Sequence, residues 1–295
     1  APAAAATAYE VVPGVSFTAL ASEAAPPLSG PLPVVVFSHC RTGTRTSYVL
    51  LCEGLAAEGY VVVAGDHPGD TLTDWLSGSA VDDPTNEAQR LGDVDLLLDR
   101  IADRTFDRLV DGLRADPQRV VVAGHSDGGW TAIAAGASAA SDRVRGVVGL
   151  QPFSRTLSRD QLAGLTVPLL LVGGAADTTT PVGADLHRAF DASGSAHAHV
   201  VEIARAGHQA CSDVGLYLEL LPQVDGLPEF VHQTVSSMAA DVTGVPGDPW
   251  RPTVALHLAL VAVWLRGTFV GAAPSDVIST TLHGHQAEHR YRLGT

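Results

Sequence analysis

The sequence predicts one α/β domain, in which helices cover both faces of a mostly parallel central sheet. Short apolar runs bounded by turn residues recur along the chain, and amphipathic stretches lie between them. The 295 residues are 46% hydrophobic, which is enough for a sizeable core. Neither an internal repeat nor a linker divides the sequence, so we expect a single domain over residues 8–270 and a peripheral tail over 271–295.

The strands are predicted where short apolar runs enter loops. In chain order these runs cover residues 15–21, 33–38, 60–64, 119–123, 144–150, 167–173 and 199–203. A helix over 48–58 ends at Gly59, and apolar residues at helical spacing continue over 87–113 until Asp116-Pro117 interrupts them. Residues 69–86 carry acidic and small polar side chains without core periodicity, so we expect a surface loop there.

The charge balance excludes a nucleic-acid partner. The chain has 32 acidic and 18 basic residues, a net charge of −14 and no lysine, so it offers no basic patch. The longest apolar run, over 254–265, is interrupted by His257 and is too short to span a bilayer. We therefore expect a buried helix there rather than a transmembrane segment.

The first residues and the cysteines bear on the compartment. Residues 1–8 resemble the small-residue stretch that follows a signal-peptide cleavage site. We therefore expect a secreted protein whose signal peptide has been removed, with an artificially trimmed start as the alternative, and we favour a monomer. Cys40, Cys52 and Cys211 permit at most one internal disulfide, and the sequence singles out no pair.

The pentapeptide Gly124-His125-Ser126-Asp127-Gly128 is the first candidate for catalysis. It follows the apolar run 120–123 and precedes a stretch of small residues. Gly-x-Ser-x-Gly between a buried strand and a helix is typical of a nucleophile elbow, a sharp turn that presents the serine above the sheet. A β-carbon at either glycine would collide with neighbouring backbone. We predict that Ser126 is a nucleophile.

Asp177 and His208 are the candidate partners of Ser126. A serine hydroxyl attacks an ester at neutral pH only if a histidine takes its proton and a carboxylate orients that histidine. Asp177 follows the predicted strand 167–173, and His208 follows the strand 199–203. Each gap is long enough for one strand-helix-strand unit, which returns the loops to one sheet edge. The order serine, acid, histidine therefore predicts a Ser126–His208–Asp177 triad.

Two backbone N–H groups are the candidates for an oxyanion hole. One belongs to Asp127, directly after the nucleophile, and the other follows an early strand, where we predict the N–H of Arg41. The candidate pocket residues are Trp75, Trp130, Phe153 and Gln209. A carboxylate at position 127 would disfavour anionic substrates if it faced the pocket, but we expect the side chain to turn to solvent.

Three segments resemble a known group of enzymes in their order. They are Val-Phe-Ser-His39-x-x-x-x-x-Arg45-Thr, Asp66-His67-Pro-Gly-Asp70-Thr and Gly-His-Ser-Asp-Gly-Gly, and they lie within residues 32–212. The pattern resembles serine esterases of the platelet-activating factor acetylhydrolase and dienelactone-hydrolase-like groups, with polyester-degrading cutinases as neighbours. The resemblance implies the α/β-hydrolase fold and a carboxylic-ester hydrolase of the esterase or lipase type, without metal or cofactor.

The sequence departs from this pattern beside the oxyanion donor and the nucleophile. Cys40 follows His39 where the family usually has glycine, and Asp127 follows Ser126 where a bulky apolar residue is common. The cysteine puts the geometry of the oxyanion loop in question, but not the triad. Dienelactone hydrolases themselves use a cysteine nucleophile, so Ser126 argues against that particular activity.

Several alternatives to an esterase for small substrates remain open. The same triad serves polyester hydrolases, amidases and perhydrolases, so the substrate is a small-molecule or a polymeric ester. An alternative from another class is a catalytically inactive α/β-hydrolase fold that binds ligands, which predicts a broken triad. His283, His285 and His289 have the spacing of a zinc site, but near the end of the sequence we expect a solvated tail and no metal.

Overall fold

In the computed structural model, which describes residues 6–12, 15–22, 25–138, 142–224, 226, 229–245, 247–270 and 274–294, seven strands form one central sheet. In spatial order they are β4 (Val61–Gly65), β3 (Leu32–Ser38), β5 (Ala115–His125), β6 (Gly146–Leu150), β7 (Leu169–Gly174), β8 (Ala198–Ile203) and β9 (Ala287–Arg292). The first six are parallel, and β9 is antiparallel to β8. The predicted α/β fold with a mostly parallel sheet is confirmed.

The central strands are apolar on both sides because helices cover both faces of the sheet. Alternate residues of β3 belong to different cores: Val35 lies in one buried cluster and Val36 in the other. The helices are α1 (Val49–Ala57), α2 (Leu72–Ser77), α3 (Asp83–Ala102), α4 (Thr105–Leu109), α5 (Asp127–Ala137), α6 (Arg159–Gly164), α7 (Arg188–Ala192), α8 (Val214–Leu220), α9 (Glu229–Ser237), α10 (Ala239–Thr243), α11 (Arg251–Val270) and α12 (Pro274–Thr281).

Helix α11 extends beyond the apolar run from which it was predicted. Its stretch Arg251–Phe269 is long and apolar enough to cross a membrane by length and composition, and half of that stretch is buried inside the protein. Leu260 and Trp264 pack into the same core cluster as α1. The helix therefore covers one face of the sheet, as the expectation of a buried helix requires.

Residues 69–86, which we expected to form a surface loop, contain α2 and the beginning of α3. Thr71 and Asp74 form a reciprocal capping box at the start of α2. Asp82 accepts the N–H of Thr85 at 3.0 Å and caps α3. These helices begin at polar caps and not at an apolar pattern, so the absence of core periodicity did not mean the absence of helix.

The segment after residue 271, which we expected to be a peripheral tail, contributes to the sheet. Residues 274–281 form α12, and β9 pairs along the whole of β8. His289 stacks on His199, whereas His283 and His285 are exposed. Among the described residues, no three His, Cys, Asp or Glu side chains converge as a metal site would require. The described residues also include an unpredicted strand, β1 (Ala6–Val12), which pairs with β2 (Val15–Ser22) in a separate hairpin.

Candidate active site

Ser126 lies in the sharp turn between β5 and α5, with φ of 58° and ψ of −118°. A positive φ at a residue other than glycine is a strained conformation that the surrounding structure must hold. A β-carbon on Gly124 would lie 2.2 Å from the Gly128 oxygen, and one on Gly128 would lie 2.0 Å from the Ser38 oxygen. Only glycine fits at both positions, as the pentapeptide predicts.

The loops after β7 and β8 bring Asp177 and His208 to Ser126. The Ser126 hydroxyl lies 3.0 Å from His208 Nε2, and His208 Nδ1 lies 2.9 Å from Asp177 Oδ2. An ionised carboxylate only accepts, so Nδ1 carries the hydrogen and Nε2 is free to accept the serine proton. The three residues form one continuous hydrogen-bonded chain.

Asp177 is held by donors from its own loop. Its Oδ1 accepts the N–H groups of Thr179 at 2.9 Å and Thr180 at 2.8 Å, and its Oδ2 lies 2.6 Å from the Thr180 hydroxyl. Burial opposes ionisation, but the hydrogen bonds from His208 and Thr180 outweigh it and hold the pKa of Asp177 below its ordinary value. The carboxylate is therefore fixed in both charge and position.

A second histidine, His125, positions the backbone of His208. Its Nε2 lies 2.7 Å from the His208 carbonyl oxygen, so Nε2 donates and Nδ1 accepts from the Tyr48 hydroxyl at 2.7 Å. The Tyr48 oxygen in turn accepts the N–H of Cys40 at 3.2 Å. Burial keeps the pKa of His125 well below its ordinary value, so the ring is neutral. Sequence reasoning missed Tyr48 and gave no role to His125.

Arg41, in the loop after β3, lines the same cleft as Ser126 and His208. The Cys40 carbonyl accepts from the backbone of Gly43 at 3.0 Å and from Arg90 Nη2 at 3.3 Å. Because the peptide is trans, the N–H of Arg41 points away from those donors. Among the described residues, neither this N–H nor that of Asp127 has a hydrogen-bond acceptor. Asp127 opens α5, where the first N–H groups have no intrahelical partner.

Arg90 of α3 is the main support of this loop, and sequence reasoning missed it. Its side chain is 1% exposed and donates to the His39 carbonyl at 2.9 Å, while Asp70 accepts from both its Nη2, at 2.5 Å, and its Nε, at 3.0 Å. A visible sign was present, because Arg90 lies on the same helical stripe as the buried residues Val94 and Leu98. An arginine on an apolar stripe needs a buried carboxylate.

The four predicted pocket residues line one cleft of about 500 Å³ together with Ser126 and His208: Trp75, Trp130, Phe153 and Gln209. Trp130 is buried, whereas Trp75 is 44% exposed at the rim. The expectation that Asp127 turns to solvent is wrong, because its side chain is 14% exposed, lines the cleft and accepts from Arg41 Nε at 2.8 Å. Cys40, Cys52 and Cys211 are all free thiols.

Comparisons with known proteins agree with this architecture. Residues 18–209 match the sequence profile of the Dienelactone hydrolase family. Cutinase est1 of Thermobifida alba is 30% identical over 152 residues, which is 50% of this chain and 43% of that protein, so the chain spans less than half of this relative. A ferulic acid esterase from Streptomyces cinnamoneus has a similar structure, with a TM-score of 0.60 and 23% identity over 81% of this chain and 68% of that one. At that identity, the likeness to the ferulic acid esterase concerns the fold.

Proposed function

The chain belongs to the dienelactone hydrolase family of α/β-hydrolases, and we propose that it is a serine esterase that cleaves carboxylic esters through an acyl-enzyme on Ser126. The observation that carries this proposal is the hydrogen-bonded chain from Ser126 through His208 to Asp177. The strained backbone of Ser126 and the two unpaired N–H groups beside it give independent support. A catalytically inactive binding protein would have no need of this combination.

In the first half-reaction, the Ser126 oxygen attacks the ester carbonyl while its proton passes to His208 Nε2. The carbonyl oxygen becomes an oxyanion, which accepts from the N–H groups of Arg41 and Asp127. The tetrahedral intermediate then collapses, the alcohol leaves with the proton from His208, and the acyl group stays on Ser126. Loss of one such N–H donor typically costs about 3 kcal/mol of transition-state stabilisation.

In the second half-reaction, a water molecule gives a proton to His208 Nε2 and its oxygen attacks the acyl carbon. The new intermediate releases the carboxylic acid, and the Ser126 oxygen recovers its proton from His208. Asp177 keeps the imidazole in the required tautomer and stabilises its cationic form in both halves. The low pKa of Asp177 supports this role, because the carboxylate stays ionised across the working pH range.

A fluorophosphonate probe tests the nucleophile directly. We expect one covalent adduct, on the peptide that contains Ser126, and loss of both labelling and ester hydrolysis in Ser126→Ala. The Thr131→Ala variant controls for a general loss of a hydroxyl group, since Thr131 lies on the same helix with its hydroxyl bound to the Asp127 carbonyl. A folded protein that hydrolyses esters while Ser126 stays unlabelled contradicts the proposal.

A second candidate function is hydrolysis of insoluble polyesters, which the exposed face of α2 favours. Leu72, Trp75 and Leu76 are 50%, 44% and 70% exposed, and their spacing puts them on one side of the helix at the rim of the cleft. Exposed apolar side chains beside an active site offer a contact surface to a polymer. The similarity to a cutinase points the same way.

The leucines of α2 separate the two candidates, because they do not line the cleft. If the enzyme acts on polyester, Leu72→Ser/Leu76→Ser should slow release of acid from polyester film about tenfold, the equivalent of about 1.4 kcal/mol of lost contact. Hydrolysis of soluble p-nitrophenyl esters should not change. Leu109→Ser is the matched control, since Leu109 is 72% exposed and lies outside the cleft. An equal loss on film and on soluble ester rejects the polyester function.

A further inference from the structure

The two residues whose N–H groups are the proposed oxyanion donors are also joined through their side chains. Arg41 Nε donates to Asp127 Oδ2 at 2.8 Å, although the residues are 86 positions apart. The Arg41 side chain is 36% exposed and that of Asp127 is 14% exposed. Arg41 follows β3 and Asp127 opens α5, so the ion pair connects two separate elements of the fold.

We propose that the Arg41–Asp127 ion pair is a latch that sets the distance between the two N–H donors. The inference rests on the proposed function, since it concerns the oxyanion hole of that reaction. It assigns both side chains a positioning role that is additional to the role of their backbones. Because both residues also line the cleft, KM is measured beside kcat to separate positioning from substrate contact.

The surroundings of the loop explain why such a latch has an effect. On the far side, Arg90 binds the carbonyls of His39 and Cys40, which fixes the loop up to the Arg41 peptide. On the cleft side, the Arg41 side chain is hydrogen-bonded to Asp127 at the start of α5, in addition to the packing of Gly128 against the Ser38 carbonyl. Without this bond, the Arg41 peptide keeps the support of Arg90 but loses the side-chain link to Asp127, the residue that carries the other N–H donor.

The Arg41 guanidinium is itself held in place by two further contacts. Its Nη2 lies 2.7 Å from Asp83, and its carbon lies 6.0 Å from the centre of the Trp75 ring. Three groups therefore surround the guanidinium: the carboxylates of Asp127 and Asp83 and the ring of Trp75. An ion pair this exposed adds little to folding stability, whereas a displacement of about 1 Å at a reacting group costs up to about 100-fold in rate.

The direction in which Asp127→Ala changes kcat distinguishes a latch from a purely electrostatic role of Arg41. If Arg41 acted only as a positive charge near the oxyanion, Arg41→Ala would slow the reaction and Asp127→Ala would accelerate it. A latch is broken by either substitution. We expect Arg41→Ala and Asp127→Ala each to lower kcat about 10-fold to 100-fold, with KM changed less than about threefold, because oxyanion contacts strengthen mainly in the transition state.

The double variant completes the test. Arg41→Ala/Asp127→Ala should be no slower than the slower single variant, because a broken latch cannot be broken twice. Arg41→Lys, which keeps a donor to Asp127, should recover part of the loss. Arg143→Ala is the matched control: Arg143 is also 36% exposed and pairs with Asp95, and its removal should leave kcat unchanged.

Three outcomes overturn the latch: a higher kcat in Asp127→Ala, strictly additive losses in the double variant, or kcat unchanged in both single variants. The fluorophosphonate experiment separates these failures from failure of the proposed function. If Ser126 is labelled and Ser126→Ala is inactive, such outcomes reject the latch alone. If Ser126→Ala keeps its activity, the proposed function and the latch fail together.

Discussion

The candidate active site has two sides that are held by different kinds of contact. The acid–base side consists of the loops that carry Asp177 and His208, and the proposed oxyanion side consists of the loop after β3, which carries Arg41. On the acid–base side, Asp177 accepts N–H bonds from residues two and three positions along the chain. On the oxyanion side, the carbonyls of His39 and Cys40 accept from Arg90, which is 51 and 50 positions away. Asp177 is therefore held by its own loop, whereas the Cys40 carbonyl combines local bonds, from His39 Nδ1 and the Gly43 N–H, with the contact to Arg90 of α3.

The two sides also differ in whether their supporting contacts depend on a buried ion pair. Arg90 and Asp70 are almost completely buried, and a buried ion pair is stable only while every partner is present. The backbone donors of Asp177 do not depend on a distant charge. We therefore expect substitutions on the acid–base side to change the chemistry alone, and substitutions on the oxyanion side to change the chemistry and the stability together.

The largest expected effect is a loss of turnover in Asp177→Asn. The amide can still accept the N–H bonds of Thr179 and Thr180, but it no longer holds His208 in the required tautomer. We expect kcat to fall about 10⁴-fold, with the urea midpoint changed by less than the equivalent of about 1 kcal/mol. Steady-state kinetics and urea unfolding on the same preparation measure both quantities.

Asp213→Asn is the control for this prediction. Asp213 lies five residues after His208, but its carboxylate caps α1 by accepting the N–H of Val49 at 2.6 Å. Its substitution should therefore leave kcat within about tenfold of the wild-type value. If Asp213→Asn loses turnover and Asp177→Asn keeps it, the assignment of the acid is wrong.

The next effect in size is the loss of stability in Arg90→Met. This substitution leaves Asp70 buried without its cation, which typically costs about 3–5 kcal/mol. The carbonyls of His39 and Cys40 also lose a donor, so kcat should fall as well. Urea unfolding and kcat measured together test the expectation that this side couples stability to chemistry.

A double variant separates the two consequences. Arg90→Met/Asp70→Asn removes the uncompensated charge and should regain part of the stability, while kcat stays low because the loop carbonyls still lack Arg90. Recovery of kcat along with stability would mean that Arg90 acts only through the fold. The comparison between the two sides would then lose its basis.

The same contrast explains which parts of the site are predictable from the sequence. Asp177 and His208 each follow a strand directly, so chain order and the topology of a parallel sheet suffice to bring them to Ser126. Nothing in the sequence pairs Arg90 with Asp70, or Arg41 with Asp127, because these contacts depend on how separate elements pack. A contact between distant segments is visible in the sequence only as a residue that does not fit its local pattern, such as a charged residue on the apolar stripe of a helix.

The elements of the fold also differ in how well the sequence predicts them. The central strands are predictable because burial on both faces makes them continuous apolar runs. Strand β9 has the sequence Ala-Glu-His-Arg-Tyr-Arg and is mostly exposed at the sheet edge, so no apolar pattern marks it. Helix α2 has no buried residue and begins at a capping box. These two elements contribute little to the core, whereas α12, which the sequence also did not predict, buries Ile278 in it.

Two buried groups near the candidate active site, His39 and Asp213, respond to pH in opposite directions. Burial lowers the pKa of His39, on the oxyanion side, from 6.5 to about 3, so as pH falls below 6.5 the unfolded chain takes up a proton that the folded chain does not, and stability is lost. Burial raises the pKa of Asp213, whose carboxylate caps α1, from 3.8 to about 7. Between those values the folded chain holds the additional proton, so this stabilisation is complete at low pH and is lost as pH rises towards 7.

The smallest predicted effect therefore concerns the pH dependence of stability, to which His39 and Asp213 make opposite contributions of similar size in the wild-type protein. When the pH is lowered from 7.5 to 5, the free energy of unfolding of His39→Asn should rise by about 2 kcal/mol relative to that of the wild type. The free energy of unfolding of Asp213→Asn should fall by about as much. Urea unfolding at the two pH values measures both changes. The double variant should restore the wild-type pH dependence, because each substitution removes one of two opposing contributions. Shifts of the same sign in both single variants would contradict the opposite effects of burial on His39 and Asp213.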